Sequence, residues 1–252
     1  MENLAQLFDK AINGKNVLVT GGSTGIGREI TFFLCSLGAN CLICGRDPKP
    51  LEETVKEVTA KGWKGKCISV ECDVAEETAI ARLFEKVDNE LGDIDVLINN
   101  AAIAYGSISE GNYEDWSYAI KTNLMGNLSP THYAVERMKD KKSGHILFIG
   151  SMSAETTDEE SSVYVATKSG LKGFAQSLRK EVNKFGIKVT LIEPGAVDTD
   201  MQEAPREEKL AQVEKGEMLK ASDIALSVVF CLAQASRADI VELQIRPHLQ
   251  LI

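Results

Sequence analysis

Residues 16–37 read NVLVTGGSTGIGREITFFLCSL, and this stretch decides the fold. Asn16 to Thr20 is a short apolar run that predicts a strand, and Ile26 to Leu37 has the apolar spacing of a helix. Glycines let the turn between them tighten and let backbone N–H groups approach a pyrophosphate at the helix's positive end. The glycines with the matching spacing are Gly21, Gly25 and Gly27. The turn therefore predicts a dinucleotide site, with a purely structural turn as the alternative.

The same strand-then-helix order continues along the chain, which predicts a parallel sheet with helices on both faces. Right-handed crossovers favour a doubly wound sheet. We expect a single α/β domain over residues 1–252, a Rossmann-type fold of about seven strands. The expected strands are Asn16–Thr20, Asn40–Gly45, Cys67–Glu71, Ile94–Asn99, His145–Gly150, Ile187–Ile192 and Asp239–Ile245. The expected helices are Ile26–Leu37, Leu51–Lys61, Glu76–Leu91, Tyr113–Lys139, Tyr164–Phe185 and Ala221–Ala233.

The composition is that of an ordinary globular protein, with 44% hydrophobic and 26% charged residues among 252. A net charge of −9 argues against nonspecific binding to nucleic acid or to anionic membranes. No apolar run approaches the roughly 20 residues that a membrane span needs. The first residues lack a basic region followed by an apolar stretch, so we expect no secretory signal and a cytoplasmic location.

The six cysteines are spread through apolar segments. Cys41 and Cys44 have CxxC spacing, but they fall on a predicted strand, where an odd offset places two side chains on opposite faces. No second pair and no nearby histidine completes a ligand set. We therefore expect buried, reduced thiols and no metal site.

A second informative stretch, SMSAETTDEESSVYVATK, covers residues 151–168 and follows the predicted strand at His145–Gly150. Tyr164 and Lys168 are four residues apart, so they share one face of the predicted helix. A nearby cation favours the phenolate and lowers a tyrosine pKa from its usual value of about 10. Ser151 ends the strand, where a hydroxyl can hold a substrate carbonyl oxygen. The bland alternative is a tyrosine that only packs.

Together with further motifs in the same order, these stretches resemble the short-chain dehydrogenase/reductase family over nearly the whole chain, from about Gly14 to the final strand. Ala102 stands where the family usually has the last glycine of its NNAG motif, and we expect that methyl group to be tolerated. The matching segments are Thr20–Gly27 for TGxxxGxG, Asp73-Val74 after the third strand, Asn99–Ala102 for NNAG, Asn123 on the long helix, Ser151 with Tyr164 and Lys168 for Ser…YxxxK, and Pro194-Gly195 with Thr199 for PGxxxT.

The resemblance implies an oxidoreductase that interconverts a small or medium carbonyl compound and its alcohol by hydride transfer with a nicotinamide cofactor. Tyr164 would be the general acid in reduction and the base in oxidation. Lys168 would lower the tyrosine pKa and bind the ribose hydroxyls, and Ser151 would polarise the substrate oxygen. Asn123 would support a water chain to Lys168. Taken alone, Asn123 could equally be a tolerated polar residue within a helix.

The resemblance also implies which residues hold the cofactor. Asp73 would hold the adenine ring, although as an isolated residue it also fits a simple N-cap of the helix that begins at Glu76. The expected cofactor contacts are Gly21, Ser23, Thr24, Gly25, Ile26, Gly27, Arg46, Asp73, Val74, Asn100, Ala101, Tyr164, Lys168, Pro194, Gly195, Val197 and Thr199.

The end of the second strand bears on the choice between NADP(H) and NAD(H). A carboxylate there would accept from the ribose 2′-hydroxyl and repel a 2′-phosphate. The strand instead ends in Gly45 and Arg46, and a guanidinium suits a phosphate through charge and bidentate geometry. This favours NADP(H). In the alternative, Asp47 turns back to the ribose and Arg46 points into solvent.

The substrate pocket is expected where relatives of this family have theirs, with Ser151, Ser153 and Tyr164 in contact with the substrate. The acidic run Asp158-Glu159-Glu160 predicts either recognition of a cationic or polyhydroxylated substrate or a solvated loop tip. The charged segment at Met201–Lys220 suggests a modest lid. Further candidates for the lining are Ile103, Ala104, Tyr105, Met152, Glu155, Ala196, Val197 and Met201.

Two functional classes stay open. One is an NADP(H)-dependent enzyme; the other is a nicotinamide-binding regulatory or scaffold protein on the same fold, without turnover. The intact serine, tyrosine and lysine favour the enzyme. The resemblance further implies a homotetramer or homodimer built from the helices Tyr113–Lys139 and Tyr164–Phe185, with the final strand, Ile240 to Ile245, as a second interface.

Overall fold

The computed structural model describes residues 4–202 and 204–250, and its centre is a parallel sheet of seven strands in the order β3-β2-β1-β4-β5-β6-β9. The two remaining strands, β7 and β8, form a small parallel pair beside it. This confirms the predicted doubly wound parallel sheet. The strands within the described residues are β1 (Asn16–Thr20), β2 (Asn40–Gly45), β3 (Cys67–Glu71), β4 (Val96–Asn99), β5 (Gly144–Ile149), β6 (Ile187–Pro194), β7 (Val197–Asp198), β8 (Leu219–Lys220) and β9 (Glu242–Ile245).

Helices flank both faces of the sheet, and most begin and end within a few residues of the predicted bounds. The α-helices of the described residues are α1 (Leu4–Ile12), α2 (Gly25–Ser36), α3 (Pro48–Ala60), α4 (Glu77–Leu91), α5 (Tyr113–Ile120), α6 (Gly126–Lys141), α7 (Ser153–Thr156), α8 (Ser162–Val182), α9 (Arg206–Lys215) and α10 (Ala221–Leu232). None of them is long and apolar enough to cross a bilayer.

The core forms two layers because strand side chains alternate between the faces of the sheet. Leu18 of β1 joins the cluster under α4, α6 and α8, which includes Phe84 and Phe148. Its neighbour Val19 joins the cluster under α1, α2, α3 and α10. The same alternation separates Cys41 from Cys44, as predicted, and both are free thiols. Burial of both faces keeps the strand ends in a fixed plane, and the site is built on that plane.

The prediction of a single helix at Tyr113–Lys139 is wrong, because the segment contains two α-helices. A π-helical turn at Lys121–Met125 separates α5 from α6. Such turns insert one residue into a helix and are common at functional sites. The next residue, Gly126, approaches the loop after β3 so closely that a Cβ would lie 2.7 Å from Val74 Cγ2. The π turn therefore places a helix against the loop that borders the site.

Besides the single-turn α7 at Ser153–Thr156, two helices were not predicted at all. The first is α1, whose Ile12 is buried in the cluster beside α10. The second is α9, within the segment that the sequence indicates only as a charged stretch. Charged side chains dominate the sequence of α9, REEKLAQVEK, and its one buried residue is Lys209. A helix with so narrow a buried face carries little apolar periodicity, which explains the wrong prediction.

Candidate active site

A cavity of about 1410 Å³ runs along the carboxyl ends of the central strands, where ligands bind in open parallel sheets. The loops after β1, β2, β3, β4, β5 and β6 all contribute to it. Apart from Gly27 and Asn123, every residue predicted to act in catalysis or to contact the cofactor lines this one cavity, and so does Ser153. The two exceptions lie directly behind the lining.

The glycine-rich turn forms one end of the cavity. Gly21 and Gly25 have φ angles of +64° and +49°, which favour glycine. A Cβ on Gly27 would collide with the Gly21 carbonyl oxygen. Asn100 fastens the turn, since its Nδ2 donates to the carbonyl oxygens of Thr20 and Gly21, both at 3.0 Å. Because these positions carry no side chain, the backbone of the turn itself lines the cavity.

The first turn of α2 lines the same end of the cavity. Thr24, its capping residue, makes no side-chain capping bond. The leading N–H groups of a helix lack intrahelical partners and, with the helix dipole, favour an anion. A cradle that any Cβ would fill, set beside an uncapped helix start, fits the pyrophosphate of a dinucleotide.

At the end of β2, Arg46 and Asp47 have different partners. Asp47 caps α3 and accepts from the Lys49 backbone N–H at 3.0 Å. Arg46 Nη1 donates to the Tyr118 hydroxyl at 2.7 Å. A role for Asp47 at a ribose hydroxyl would compete with this capping bond.

Asp73 follows β3 and lines the same cavity as Arg46. Its Oδ2 accepts from the Tyr118 hydroxyl at 2.8 Å, and its Oδ1 accepts from the Ala75 backbone N–H at 2.9 Å. The capping residue of α4 is Glu76, so the alternative in which Asp73 caps that helix is wrong.

Tyr164 and Lys168 occupy the first half of α8, next to the end of β5. The Lys168 ammonium lies 5.5 Å from the centre of the Tyr164 ring and donates to the Ile149 carbonyl oxygen at 3.0 Å. Burial lowers the pKa of Lys168 to about 8. Both side chains therefore face the cavity, as their four-residue spacing predicts.

The pKa of Tyr164 differs from expectation. Burial raises it, and only the nearby Ser151 hydroxyl acts in the opposite direction. The Lys168 ammonium faces the ring and donates to the Ile149 carbonyl, and the net pKa of the phenol is raised where the sequence predicted a lowered one. Ser151 itself accepts from the Ser153 backbone N–H at 3.1 Å, and its Oγ lies 3.1 Å from Ser153 Oγ.

Asn123 lies in the π turn and is 0% exposed. Its Oδ1 accepts from the Ile103 backbone N–H at 2.7 Å, and its Nδ2 donates to the Ile103 carbonyl oxygen at 2.9 Å. One side chain therefore satisfies both backbone groups of a residue in the loop after β4. This loop forms the floor of the predicted substrate pocket.

Three residues of the site were missed by sequence reasoning. Lys209 of α9 donates to the Thr199 carbonyl oxygen at 2.9 Å, which holds the loop after β6. Gln250 accepts from the Ala196 N–H at 3.0 Å and lines the cavity. Tyr118 joins Arg46 to Asp73. Their partners lie 10 residues away in the chain for Lys209, 54 for Gln250, and 72 and 45 for Tyr118, and no local pattern points to them.

The segment between Ser151 and Tyr164 is the predicted substrate loop, and its acidic residues separate into two groups. Asp158 lines the cavity, whereas Glu159 and Glu160 are exposed and stay outside the lining. Glu155 also stays outside it, which corrects its prediction, because its carboxylate pairs with Lys172. The other predicted pocket residues do line the cavity, namely Ile103, Ala104, Tyr105, Met152, Ser153, Ala196, Val197 and Met201.

Lys172 also reaches two further carboxylates. It lies 3.1 Å from Glu193 and 2.9 Å from Glu242. Its ammonium therefore joins α8 to the ends of β6 and β9 and to the substrate loop.

Solved structures with this architecture include two that contain a bound nucleotide. A metagenomic short-chain oxidoreductase in complex with NADP superimposes with a TM-score of 0.82 at 29% identity, over 95% of this chain and 99% of that one. A short chain dehydrogenase from Burkholderia cenocepacia, also in complex with NADP, gives 0.83 at 29% identity, over 94% and 98%.

Sequence comparison gives the same grouping. A protein from Staphylococcus saprophyticus, described as an uncharacterized oxidoreductase, is 32% identical over 94% of this chain and 98% of its own length. One from Staphylococcus epidermidis with the same description is also 32% identical, again over 94% and 98%. The sequence model of the short chain dehydrogenases matches residues 15–210. The chain therefore belongs to the short-chain dehydrogenase family of oxidoreductases.

Proposed function

We propose that this protein is an NADP(H)-dependent oxidoreductase that interconverts a small or medium carbonyl compound and its alcohol. The observation that carries the proposal is that Ser151, Tyr164 and Lys168 line the same cavity as the glycine-rich turn and Arg46. A nucleotide lying along the strand ends from that turn towards Tyr164 would bring its nicotinamide next to the phenol.

Reduction adds a hydride to the carbonyl carbon and a proton to its oxygen, and alcohol oxidation removes both. A bound nicotinamide supplies or accepts the hydride. The Tyr164 hydroxyl supplies the proton, and because burial raises its pKa, the phenol is protonated at neutral pH and ready to act as an acid. The Ser151 hydroxyl donates to the oxygen on which negative charge develops. The buried Lys168 ammonium then stabilises the phenolate that the proton leaves behind.

The preference for NADP(H) is supported at the end of β2. Arg46 offers a guanidinium to a 2′-phosphate, while Asp47 is engaged as the cap of α3. The two similar structures that contain NADP point in the same direction.

The substrate is proposed to be small or medium in size. Ser151 and Ser153 offer hydroxyls, and apolar side chains, Ile103, Met152 and Val197 among them, line the same cavity. Of the four carboxylates in the substrate loop, Asp158 alone lines the cavity, so it is the one that could select a cationic or polyhydroxylated substrate.

We further propose a homodimer or homotetramer, in which two copies meet along α5 and the start of α8. Large apolar side chains are exposed on α5 or next to it in the chain, namely Ile108, Tyr113, Ile120 and Met125. Exposed apolar patches of this kind mark interaction sites. Molar mass from light scattering tests the assembly, and a monomer at micromolar concentration would contradict it.

We also propose a cytoplasmic location, because all six cysteines are free thiols.

The test is a titration with NADPH and NADH, followed by a screen of carbonyl compounds that records loss of NADPH absorbance. Tyr164→Phe should bind NADPH within about twofold of wild type and lose turnover by at least 100-fold. Tyr133→Phe, whose ring stacks on Phe84 outside the cavity lining, is the matched control and should keep full activity. NADPH binding without turnover of any carbonyl would favour the regulatory class, and tighter binding of NADH would contradict the role of Arg46.

A further inference from the structure

Tyr118 connects the two groups that the proposed function assigns to the adenosine end of the cofactor. Its hydroxyl accepts from Arg46 Nη1 at 2.7 Å and donates to Asp73 Oδ2 at 2.8 Å. Arg46 follows β2, Asp73 follows β3, and Tyr118 comes from α5, so three separate elements meet at this hydroxyl. Sequence motifs single out Arg46 and Asp73, and none of them includes Tyr118.

The contact orients the guanidinium without using it up. Arg46 also stacks on the Tyr118 ring, with its central carbon 5.8 Å from the ring centre. Within the described residues, Nη1 is the single Arg46 nitrogen that is hydrogen-bonded. An arginine has five N–H donors, so most of them stay available to an anion. A phosphate could bind this guanidinium while it keeps its bond to Tyr118.

The hydroxyl also separates two opposite charges. Burial raises the pKa of Tyr118, and its bond to Asp73 acts in the same direction, so the hydroxyl keeps its proton at neutral pH. It can then donate to the carboxylate and accept from the guanidinium at the same time. Without it, Arg46 and Asp73 would attract each other across the empty position and could form an ion pair. That pair would turn the guanidinium away from a phosphate and occupy the carboxylate.

We propose that Tyr118 is a specificity-determining residue, which positions Arg46 for the 2′-phosphate of NADP(H) and keeps it from pairing with Asp73. The inference rests on the proposed NADP(H) site and adds a residue on which its selectivity depends. Tyr118 acts through Arg46, so it is a positioning residue and takes no part in proton or hydride transfer.

The experiment measures binding, independently of turnover. Wild type and Tyr118→Phe are titrated calorimetrically with adenosine 2′,5′-bisphosphate and with 5′-AMP, and then with NADPH and NADH. We expect the ratio of affinities for the 2′-phosphorylated and unphosphorylated ligands to fall by about five- to tenfold, the size of one lost hydrogen bond. Tyr133→Phe, whose ring stacks on Phe84 of α4, is the control and should leave the ratio unchanged.

A double-mutant cycle shows whether Tyr118 works through Arg46. Arg46→Ala should lower the ratio of affinities at least as far as Tyr118→Phe does. The double variant should lower it no further than Arg46→Ala alone. A wild-type preference for 2′-phosphorylated ligands that survives Tyr118→Phe, or an additive double variant, would overturn this inference and leave the proposed function intact. A wild type without any preference for 2′-phosphorylated ligands would overturn the NADP(H) assignment as well.

Discussion

The Lys168 ammonium donates to the carbonyl oxygen of Ile149, the last residue of β5, at 3.0 Å, and the lysine is almost wholly removed from solvent. Burial of a charged group without a compensating carboxylate costs free energy. The pKa of Lys168 is accordingly lowered from 10.5 to about 8. Burial therefore weakens the preference of this lysine for its charged form, which still predominates at neutral pH.

This burial predicts how stability depends on pH. Between pH 8 and 10.5 the unfolded chain keeps the lysine proton that the folded chain releases, so the free energy of unfolding rises with pH through that window. Relative to Lys168→Met, which cannot titrate there, wild type should gain about 2 to 3 kcal/mol between pH 7.5 and 10.5. Urea denaturation of both proteins across this range measures the difference. Parallel stability curves would show that the ammonium is not buried as described.

Gly27 is predicted to be intolerant of any side chain. A Cβ there would collide with the Gly21 carbonyl oxygen and lie 2.5 Å from Asn100 Nδ2, so Gly27→Ala must open the turn. We expect nucleotide affinity to fall more than tenfold and the unfolding free energy to drop by about 1 to 3 kcal/mol. The matched control is Gly173→Ala in α8, where a Cβ meets nothing within 4 Å and should add about 0.5 to 1 kcal/mol. Equal effects of the two substitutions would contradict the close approach.

Asn123 is predicted to hold the loop after β4. Asn123→Ala leaves the N–H and carbonyl of Ile103 without the partners they have at 2.7 and 2.9 Å, and should cost about 2 to 4 kcal/mol of unfolding free energy. Asn89→Ala, exposed on α4, should change it by less than about 0.5 kcal/mol. Chemical denaturation measures both, and an Asn123→Ala protein as stable as this control would show that Ile103 does not depend on the amide.

Lys172 is predicted to be essential for stability because Glu193 beside it is 0% exposed. Lys172→Met leaves that carboxylate facing Glu155 and Glu242 without a cation, which should cost about 3 kcal/mol at pH 8. Lys180→Met, at an exposed position of the same helix, is the control and should be nearly neutral.

The cost of Lys172→Met should also depend on pH. Burial already raises the pKa of Glu193 while Lys172 opposes it, so removing the lysine raises that pKa further. A carboxyl whose folded-state pKa is raised keeps its proton more readily in the folded protein, and the associated stability is lost as pH rises. The variant should therefore be less destabilised at pH 5 than at pH 8, and a pH-independent cost would contradict a buried charge.

Repeated local patterns explain which parts of the fold were predictable. The seven strands carry short apolar runs bounded by turn residues, and β1 with its glycine turn indicated both the sheet and the cavity. The helix α9 was missed because it buries one lysine and little apolar surface. The π turn at Lys121–Met125 was missed because its cause is tertiary, namely the bonds of Asn123 to Ile103 and the contact of Gly126 with Val74.

The site shows the same division. Residues that belong to compact motifs, such as Ser151, Tyr164 and Lys168, were placed correctly in one cavity. Tyr118 was not, because its two partners lie 72 and 45 residues away in the chain. Glu155 was assigned to the cavity from its place in the substrate loop, but Lys172 draws its carboxylate elsewhere. Side-chain direction within a loop depends on partners that the local sequence does not contain.

The far end of the chain closes the substrate side of the cavity. The Gly195 N–H donates to the Ile245 carbonyl oxygen at 2.8 Å, and Gln250 accepts from the Ala196 N–H at 3.0 Å. The glycine-rich turn and its support from Asn100 need only the first hundred residues of the chain. During synthesis on the ribosome, the nucleotide cradle has all its parts long before the loop after β6 can adopt its final shape. A nascent chain therefore contains the whole of the proposed nucleotide cradle before it contains Ser151, Tyr164 and Lys168.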